Sequence, residues 1–221
     1  MTPRKPKSPP AEKPAILEAA LKHIPREGFS DAMLKRAAAE AGVDAAELPN
    51  LFPNGCVSLI ESYAEDVDQE MRKRLKSLDL PQMPVRRRIA AAITTRLDIL
   101  RPHKDVVRRA VAFLSLPPNA AISLKLTYNT VDAMWRAAGD RSTDFNFYTK
   151  RAILAGVYSS TLLRWLTDST PDEHDTTAFL EARIENVMQY ERFRKDMGAT
   201  LKQGLDRMGE IFRAARGGPR A

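Results

Sequence analysis

The side chains that most often do chemistry in proteins are few and scattered in this sequence. The three histidines are His23, His103 and His174, and none lies three residues after a glutamate. The Glu-x-x-His pattern of helical di-iron proteins is therefore missing. Cys56 stands alone, which excludes an intramolecular disulfide and a thiolate metal cluster. Because a phosphate loop, a nucleophile elbow and zinc-ligand spacing are also missing, the sequence predicts a protein that is not an enzyme and has no metal or cofactor.

The positive charge of the chain lies at its two ends. The formal net charge is +7, of which residues 1–13 contribute +3 and residues 191–221 contribute +4. Residues 14–190 are therefore formally neutral and have no overall electrostatic attraction to polyanions. The first 13 residues are rich in proline and basic side chains, with no apolar stretch, which predicts a disordered tail rather than a signal peptide or presequence.

The hydrophobic periodicity is helical along the whole chain, without alternating β-type runs or an internal repeat. We predict an all-α protein of about ten helices. The predicted helices are Pro14–Glu27, Asp31–Gly42, Asp44–Asn50, 56–78, Val85–Leu100, Lys104–Ser115, Pro118–Ala138, Asp144–Asp168, Pro171–Gln189 and Tyr190–Ala215. The predicted units are a tail at 1–13, an amino-terminal unit at 14–80, a second helical domain at 81–190, an amphipathic helix at 191–216 and a tail at 217–221.

The amino-terminal unit contains the segments AILEAALKHIPREGF and LKRAAAEAGVDAAELPNLFPNGCVSLIESY. Over about 60 residues, these segments resemble the DNA-binding module of TetR-type repressors. The reading helix of such a module should place basic and polar groups on DNA. Here the exposed candidates are Asp44, Glu47 and Asn50, and Pro49 shortens the helix. We therefore expect a degenerate helix-turn-helix that does not bind nucleic acid.

The most informative stretch is VDAMWRAAGDRSTDFNFYTKRAILAGVYSST, residues 131–161. It predicts a helix, a polar loop and a second helix that begins near Asp144, which is a good N-cap. Phe145, Phe147 and Tyr148 follow the cap, and three aromatics in four residues cannot all face one side of a helix. The corner is either packed inward or exposes at least one aromatic side chain as a contact site.

This corner resembles the Coq-nine family of ubiquinone-biosynthesis accessory proteins. The matching residues are MW at 134–135, AGD at 138–140, STDFN at 142–146, YT at 148–149 and RA at 151–152, with LAGVYSST and SLPPN nearby. The resemblance implies a TetR-like fold that has lost DNA binding, holds a lipid in its carboxy-terminal half and presents quinone intermediates to a di-iron hydroxylase. Phe147 stands where mitochondrial relatives have tryptophan, so contacts with the partner are expected to differ in detail.

We predict that this corner is the docking site for the hydroxylase, with Phe147 and Tyr148 as exposed anchors and Asp144 fixing the corner. Arg151, which the resemblance places next to the pocket mouth, could pair with a lipid phosphate. The two helices of the corner are apolar on more than one face, which indicates either a lipid cavity or simply a packed core. The predicted lipid-binding residues are Val131, Met134, Trp135, Arg151, Leu154 and Tyr158. The alternatives are a TetR-type regulator with an apolar effector, which the acidic reading helix disfavours, and a small enzyme acting on a prenylated ring.

The last predicted helix has an apolar stripe and net positive charge. Its stripe consists of Phe193, Met197, Leu201, Leu205, Met208, Ile211 and Phe212. Such a helix could dock on the protein's own body or a dimer mate, or lie on an anionic bilayer, which is our preferred interpretation. The missing presequence favours a protein of the bacterial cytoplasm, peripheral on the inner face of the membrane, or on the matrix side if the protein is eukaryotic. We also expect a homodimer.

Overall fold

The computed structural model describes residues 9–140, 145–187 and 189, and these residues form α-helices and short 3-10 turns without a β-strand. The helices are α1 (Pro9–Glu27), α2 (Asp31–Ala41), α3 (Leu48–Leu51), α4 (Cys56–Leu75), α5 (Val85–Leu100), α6 (Lys104–Leu114), α7 (Ala120–Ala137), α8 (Phe145–Thr167) and α9 (residues 174–187). The predicted all-α architecture is confirmed. None of the described helices is both long and apolar enough to cross a membrane.

The amino-terminal unit has the helix-turn-helix arrangement that its capping residues predict. The Ser30 hydroxyl accepts a hydrogen bond from the Met33 N–H at the start of α2, and Gly42 ends the helix in a left-handed conformation (φ 71°). Both are standard solutions for unpaired backbone groups at helix ends. The core of this unit contains Ile16, Ile24, Met33 and Phe52, all almost completely buried.

The carboxy-terminal half is a second apolar cluster formed by α4 to α9. Its largest fully buried side chains are Trp165, Ile93, Met71, Leu75, Met134 and Val131. The long helix α4 contributes Cys56 and Leu59 to the amino-terminal cluster, and Val67 and Met71 to this one. Helix α6 also belongs to both clusters, through Val106 and Val107, so these two helices join the two halves.

Most helix boundaries agree with the sequence to within about one turn, and the largest difference is at the start of α1. Helix α5 matches its prediction, whereas α1 begins at Pro9 rather than Pro14 and α4 ends at Leu75 rather than Leu78. Helix α7 begins at Ala120 because Pro117–Asn119 form a separate 3-10 turn. The last predicted helix, from Tyr190, lies outside the described residues.

Asp168 fixes the connection between α8 and α9. Its carboxylate accepts hydrogen bonds from the backbone N–H and hydroxyl of both Thr170 and Thr176, at 2.6 to 2.8 Å. These bonds to the charged form lower the pKa of the Asp168 carboxyl well below its usual range. The turn also holds Asp172 and Glu173 at positive φ angles of 52° and 54°. Because Asp168 follows α8 and Thr176 lies in α9, these hydrogen bonds hold the start of α9 next to the end of α8.

Candidate functional site

The degenerate reading helix exposes carboxylates where a DNA-binding helix would expose basic groups. It consists of a 3-10 turn (Ala45–Glu47) followed by the single turn of α3. Asp44 caps the turn by accepting the Ala46 N–H at 2.9 Å, and Asn50 donates to Glu47 at 3.2 Å. Asp44, Glu47 and Asn50 are all exposed. This face of the molecule therefore carries negative charge, and the absence of DNA binding stays a prediction.

The corner between α7 and α8 is built around Arg151, whose side chain is almost fully buried. Its Nε donates to Asp132 at 2.7 Å, and its Nη1 donates to Asp140 at 3.4 Å and to the Phe147 carbonyl at 3.1 Å. Lys150 also pairs with Asp140, at 2.8 Å. Two basic and two acidic side chains thus join the end of α7 to the start of α8.

The aromatic residues of the corner have different environments. The Arg151 guanidinium lies 3.3 Å from the centroid of the Phe147 ring, which is half-buried. Phe147 packs edge-to-face on Tyr148 with ring centroids 5.1 Å apart, and Tyr148 is 67% exposed. Asp144, the third predicted partner-binding residue, lies outside the described residues. The expectation that an aromatic side chain reaches the surface therefore applies to Tyr148.

The first apolar cavity, cavity A, has a volume of about 270 Å³ and lies between α4, α5, α6, α7 and α8. Its walls are mostly aliphatic, with Val67, Leu100, Val111, Leu126 and Leu162 among them. The polar wall of the cavity is formed by Tyr63, Arg96, Thr130 and Tyr158. A few serines and Thr127 are the other polar residues of the lining. Cavity A is thus an apolar space with a localised polar wall.

The second apolar cavity, cavity B, has a volume of about 310 Å³ and lies where α5 begins, between α7, α8 and α9. Its lining is Pro84, Val85, Arg86, Ile89, Trp135, Ile153, Leu154, Val157, Ile184 and Val187. Arg86 is the one charged residue among these. The Trp135 indole N–H donates to the Lys150 carbonyl at 3.0 Å, which links cavity B to the aromatic corner.

The six predicted lipid-binding residues do not form one site. Tyr158 lines cavity A, while Trp135 and Leu154 line cavity B. Val131 and Met134 are fully buried in the core and line neither cavity. Arg151 also lines neither, because its guanidinium is turned to Asp132 and Asp140. The lipid-binding roles of these residues stay predictions.

The wall of cavity A contains a buried polar network that the sequence does not predict. The Arg96 guanidinium donates to Asp68 at 2.8 Å, to the Tyr158 hydroxyl at 2.5 Å and to Thr130 at 3.4 Å. Thr130 donates in turn to the second Asp68 oxygen at 3.0 Å. The signal in the sequence was an arginine on the apolar face of α5, three residues after Ile93 and four before Leu100. In the part of the chain that the structure describes, no cluster of His, Cys, Asp or Glu is suited to a metal ion.

The sequence is similar to a set of curated mitochondrial proteins. The COQ9 family profile matches residues 120–191. The human "Ubiquinone biosynthesis protein COQ9, mitochondrial" is 36% identical over 200 residues, covering 86% of this chain and 63% of that protein. The rat protein of the same name is 35% identical over 199 residues, covering 86% of this chain and 64% of that protein. This chain thus spans a little under two thirds of the length of these relatives.

The fold is similar to that of a solved bacterial protein. The crystal structure of the TetR transcriptional regulator from Nitrosomonas europaea superposes with a TM-score of 0.64. The match covers 78% of this chain and 95% of the regulator at 21% sequence identity. At this identity the likeness establishes a TetR-like fold and carries no information about function.

Proposed function

We propose, from its similarity to COQ9 proteins, that this chain belongs to the COQ9 family and is a non-catalytic lipid-binding accessory protein of ubiquinone biosynthesis. It binds an isoprenoid or quinone intermediate, or a phospholipid, in its carboxy-terminal half. It presents the substrate to the di-iron demethoxyubiquinone hydroxylase, acting as a homodimer at the inner face of a bacterial membrane, or on the matrix side in a eukaryote. Light scattering on the purified protein tests the dimer.

The observation that carries this proposal is the pair of apolar cavities on either side of α8. Residues on one side of α8, such as Tyr158 and Leu162, line cavity A, while Ile153 and Val157 line cavity B. Binding pockets of about 300–1,000 Å³ hold ligands the size of a drug molecule. The volumes of about 270 and 310 Å³ suit a ring or a short stretch of isoprenoid tail. Either cavity can therefore shelter part of a lipid from water.

The first test is the lipid content of the purified protein. We expect organic extracts, analysed by mass spectrometry, to contain an isoprenoid or phospholipid in an amount comparable to the protein. Leu126→Trp should fill cavity A and lower that content several-fold, since Leu126 lines the cavity. Leu124→Trp is the matched control, because Leu124 lies two residues away on α7 and is 72% exposed.

The corresponding variants for cavity B are Ile153→Trp, which should fill it, and Ala152→Trp on the exposed face of α8. If Ile153→Trp alone reduces the lipid content, the lipid binds in cavity B and not in cavity A. If all four folded variants carry as much lipid as the original protein, neither cavity is the binding site.

The membrane part of the proposal rests on the sequence of residues 191–221, which lie outside the described residues. The predicted membrane-binding side chains are Phe193, Met197, Leu201, Leu205, Met208 and Phe212. Basic residues near an anionic surface add about 1 kcal/mol each to such binding. We expect the full chain to float with anionic liposomes and a chain lacking residues 191–221 to remain at the bottom. Equal flotation of both would show that another surface is the anchor.

A second candidate function is a TetR-type regulator, for which the helix-turn-helix arrangement of α2 and α3 is the relevant observation. We expect no sequence-selective binding in mobility-shift experiments, because Asp44 and Glu47 would face the DNA phosphates. Any shift seen at low salt should disappear at about 200 mM salt and weaken on removal of residues 1–13, since it would come from the basic ends of the chain. Selective binding that survives this truncation would support the regulator.

A further inference from the structure

Tyr63 places a buried hydroxyl on the wall of cavity A that has no hydrogen-bond partner among the described residues. Burial raises the pKa of this phenol to about 12, so it remains a hydrogen-bond donor at neutral pH. An unpaired buried hydroxyl lowers stability, because the group loses its bonds to water and gains none from the protein. An unpaired buried polar group in a folded protein is uncommon and therefore calls for an explanation.

The neighbouring polar side chains also have donors to spare. A guanidinium has five N–H groups, and three of those of Arg96 are accounted for by Asp68, Tyr158 and Thr130. Because the Tyr158 hydroxyl accepts from Arg96, its own proton remains available for another acceptor. The polar wall of cavity A therefore offers more donors than acceptors.

The charge of this wall is balanced. Arg96 and Asp68 form an ion pair with both side chains over nine-tenths buried, and Arg96 is the one charged residue that lines cavity A. A bound phosphate or carboxylate would thus add an unpaired negative charge beside a neutral pair, which is unfavourable in an apolar cavity. A neutral acceptor, such as a carbonyl or ether oxygen, would satisfy the donors without that cost.

From this arrangement we propose that Tyr63, Arg96 and Tyr158 form a subsite for a neutral, oxygen-bearing ring of the quinone class. The acceptor oxygens of the ring accept from the polar wall, and its tail follows the aliphatic walls formed by α6, α7 and α8. This assignment rests on the proposed lipid-binding function and names the part of the lipid that cavity A recognises. It excludes a phospholipid headgroup from the same position.

The test compares two uncharged probes that differ in oxygen content. These are a decyl-substituted dimethoxybenzoquinone and decylbenzene, titrated into the full-length protein after lipid removal, with binding followed by calorimetry. We expect the quinone to bind at least about tenfold more tightly than decylbenzene, because several donors are satisfied. Tyr63→Phe should weaken quinone binding by about 3- to 10-fold and leave decylbenzene unchanged, since it removes one neutral hydrogen bond.

Stability separates this role of Tyr63 from a structural one. We expect Tyr63→Phe to keep or raise the melting temperature of the unliganded protein, because the hydroxyl that it removes has no protein partner. Tyr158→Phe should lower the melting temperature, since it removes the acceptor of an Arg96 hydrogen bond. Tyr128→Phe is the matched control, because Tyr128 is exposed on α7 and lines neither cavity.

The possible results distinguish failure of this subsite from failure of the proposed function. If the protein binds both probes equally and Tyr63→Phe changes neither affinity, the subsite is wrong but an apolar lipid site stands. If it binds neither probe, cavity A is not a lipid site. Tighter binding of a short-chain phosphatidic acid than of the quinone would overturn the preference for a neutral ring. A lower melting temperature of Tyr63→Phe would show that the hydroxyl serves the fold.

Discussion

Replacing Asp68 with alanine is expected to lower the free energy of unfolding by about 3–5 kcal/mol, the usual effect of leaving one member of a buried ion pair unpaired. Arg96 would keep its charge in a site that is 6% exposed, without the carboxylate that now lies 2.8 Å away. Thr130 would lose its acceptor as well. For a chain of this size, the melting temperature should fall by about 6–20 °C.

The matched control for this prediction is an ion pair on the surface. Asp98→Ala on α5 removes an exposed partner of Arg101, and such pairs contribute about 0–1 kcal/mol. The double variant Asp68→Ala with Arg96→Met should regain much of the lost stability, because it removes the uncompensated charge. Thermal and urea unfolding measure all three. If Asp68→Ala proves as mild as Asp98→Ala, the network is accessible to water and does not stabilise the fold.

The parts of the fold that the sequence predicts well are those decided by neighbours in the chain. Ser30 and Gly42 define α2 because a cap acts on the nearest backbone groups. The Arg96–Asp68 pair joins residues 28 positions apart on two helices, and helical periodicity alone contains no information about such a contact. The periodicity indicates that both residues lie on the inward faces of their helices, where a charged side chain is unexpected. It does not indicate that the two side chains contact each other.

The same limit explains the division of the predicted lipid-binding residues. A hydrophobic stripe shows which face of a helix is turned inward, and Val131, Met134 and Tyr158 all lie on such faces. Whether an inward face meets another side chain or an open cavity depends on helices far away in sequence. Arg151 is a similar case, because its carboxylate partner Asp132 lies on α7 and is brought to it by the packing of α7 on α8.

The arrangement of the corner orders the exposed ring of Tyr148, the residue that we propose to contact the hydroxylase. Arg151 holds the Phe147 ring from one side, and Phe147 packs edge-to-face on Tyr148. Tyr148 is therefore supported by a ring that is itself fixed by buried charges, while most of its own surface is exposed. Ordering an aromatic side chain before binding reduces the entropy lost in the complex. This is the structural reason for assigning the hydroxylase contact of the proposed function to Tyr148.

Changing Tyr148 to alanine should weaken binding of the di-iron hydroxylase by at least about 30-fold, the effect of losing an interface residue that contributes 2 kcal/mol or more. The loss should appear when the two proteins are coexpressed and copurified, and as a faster dissociation rate on an immobilised hydroxylase. The melting temperature should change little, because Tyr148 is 67% exposed and substitutions at such positions usually alter stability by less than about 0.5 kcal/mol.

Tyr128→Ala, at an exposed tyrosine of α7, should leave binding intact. Phe147→Ala should lower both binding and stability, because it removes the ring between Arg151 and Tyr148. Unchanged binding together with a marked loss of stability in Tyr148→Ala would instead mean that the corner serves the packing of α7 on α8, and that the hydroxylase binds elsewhere.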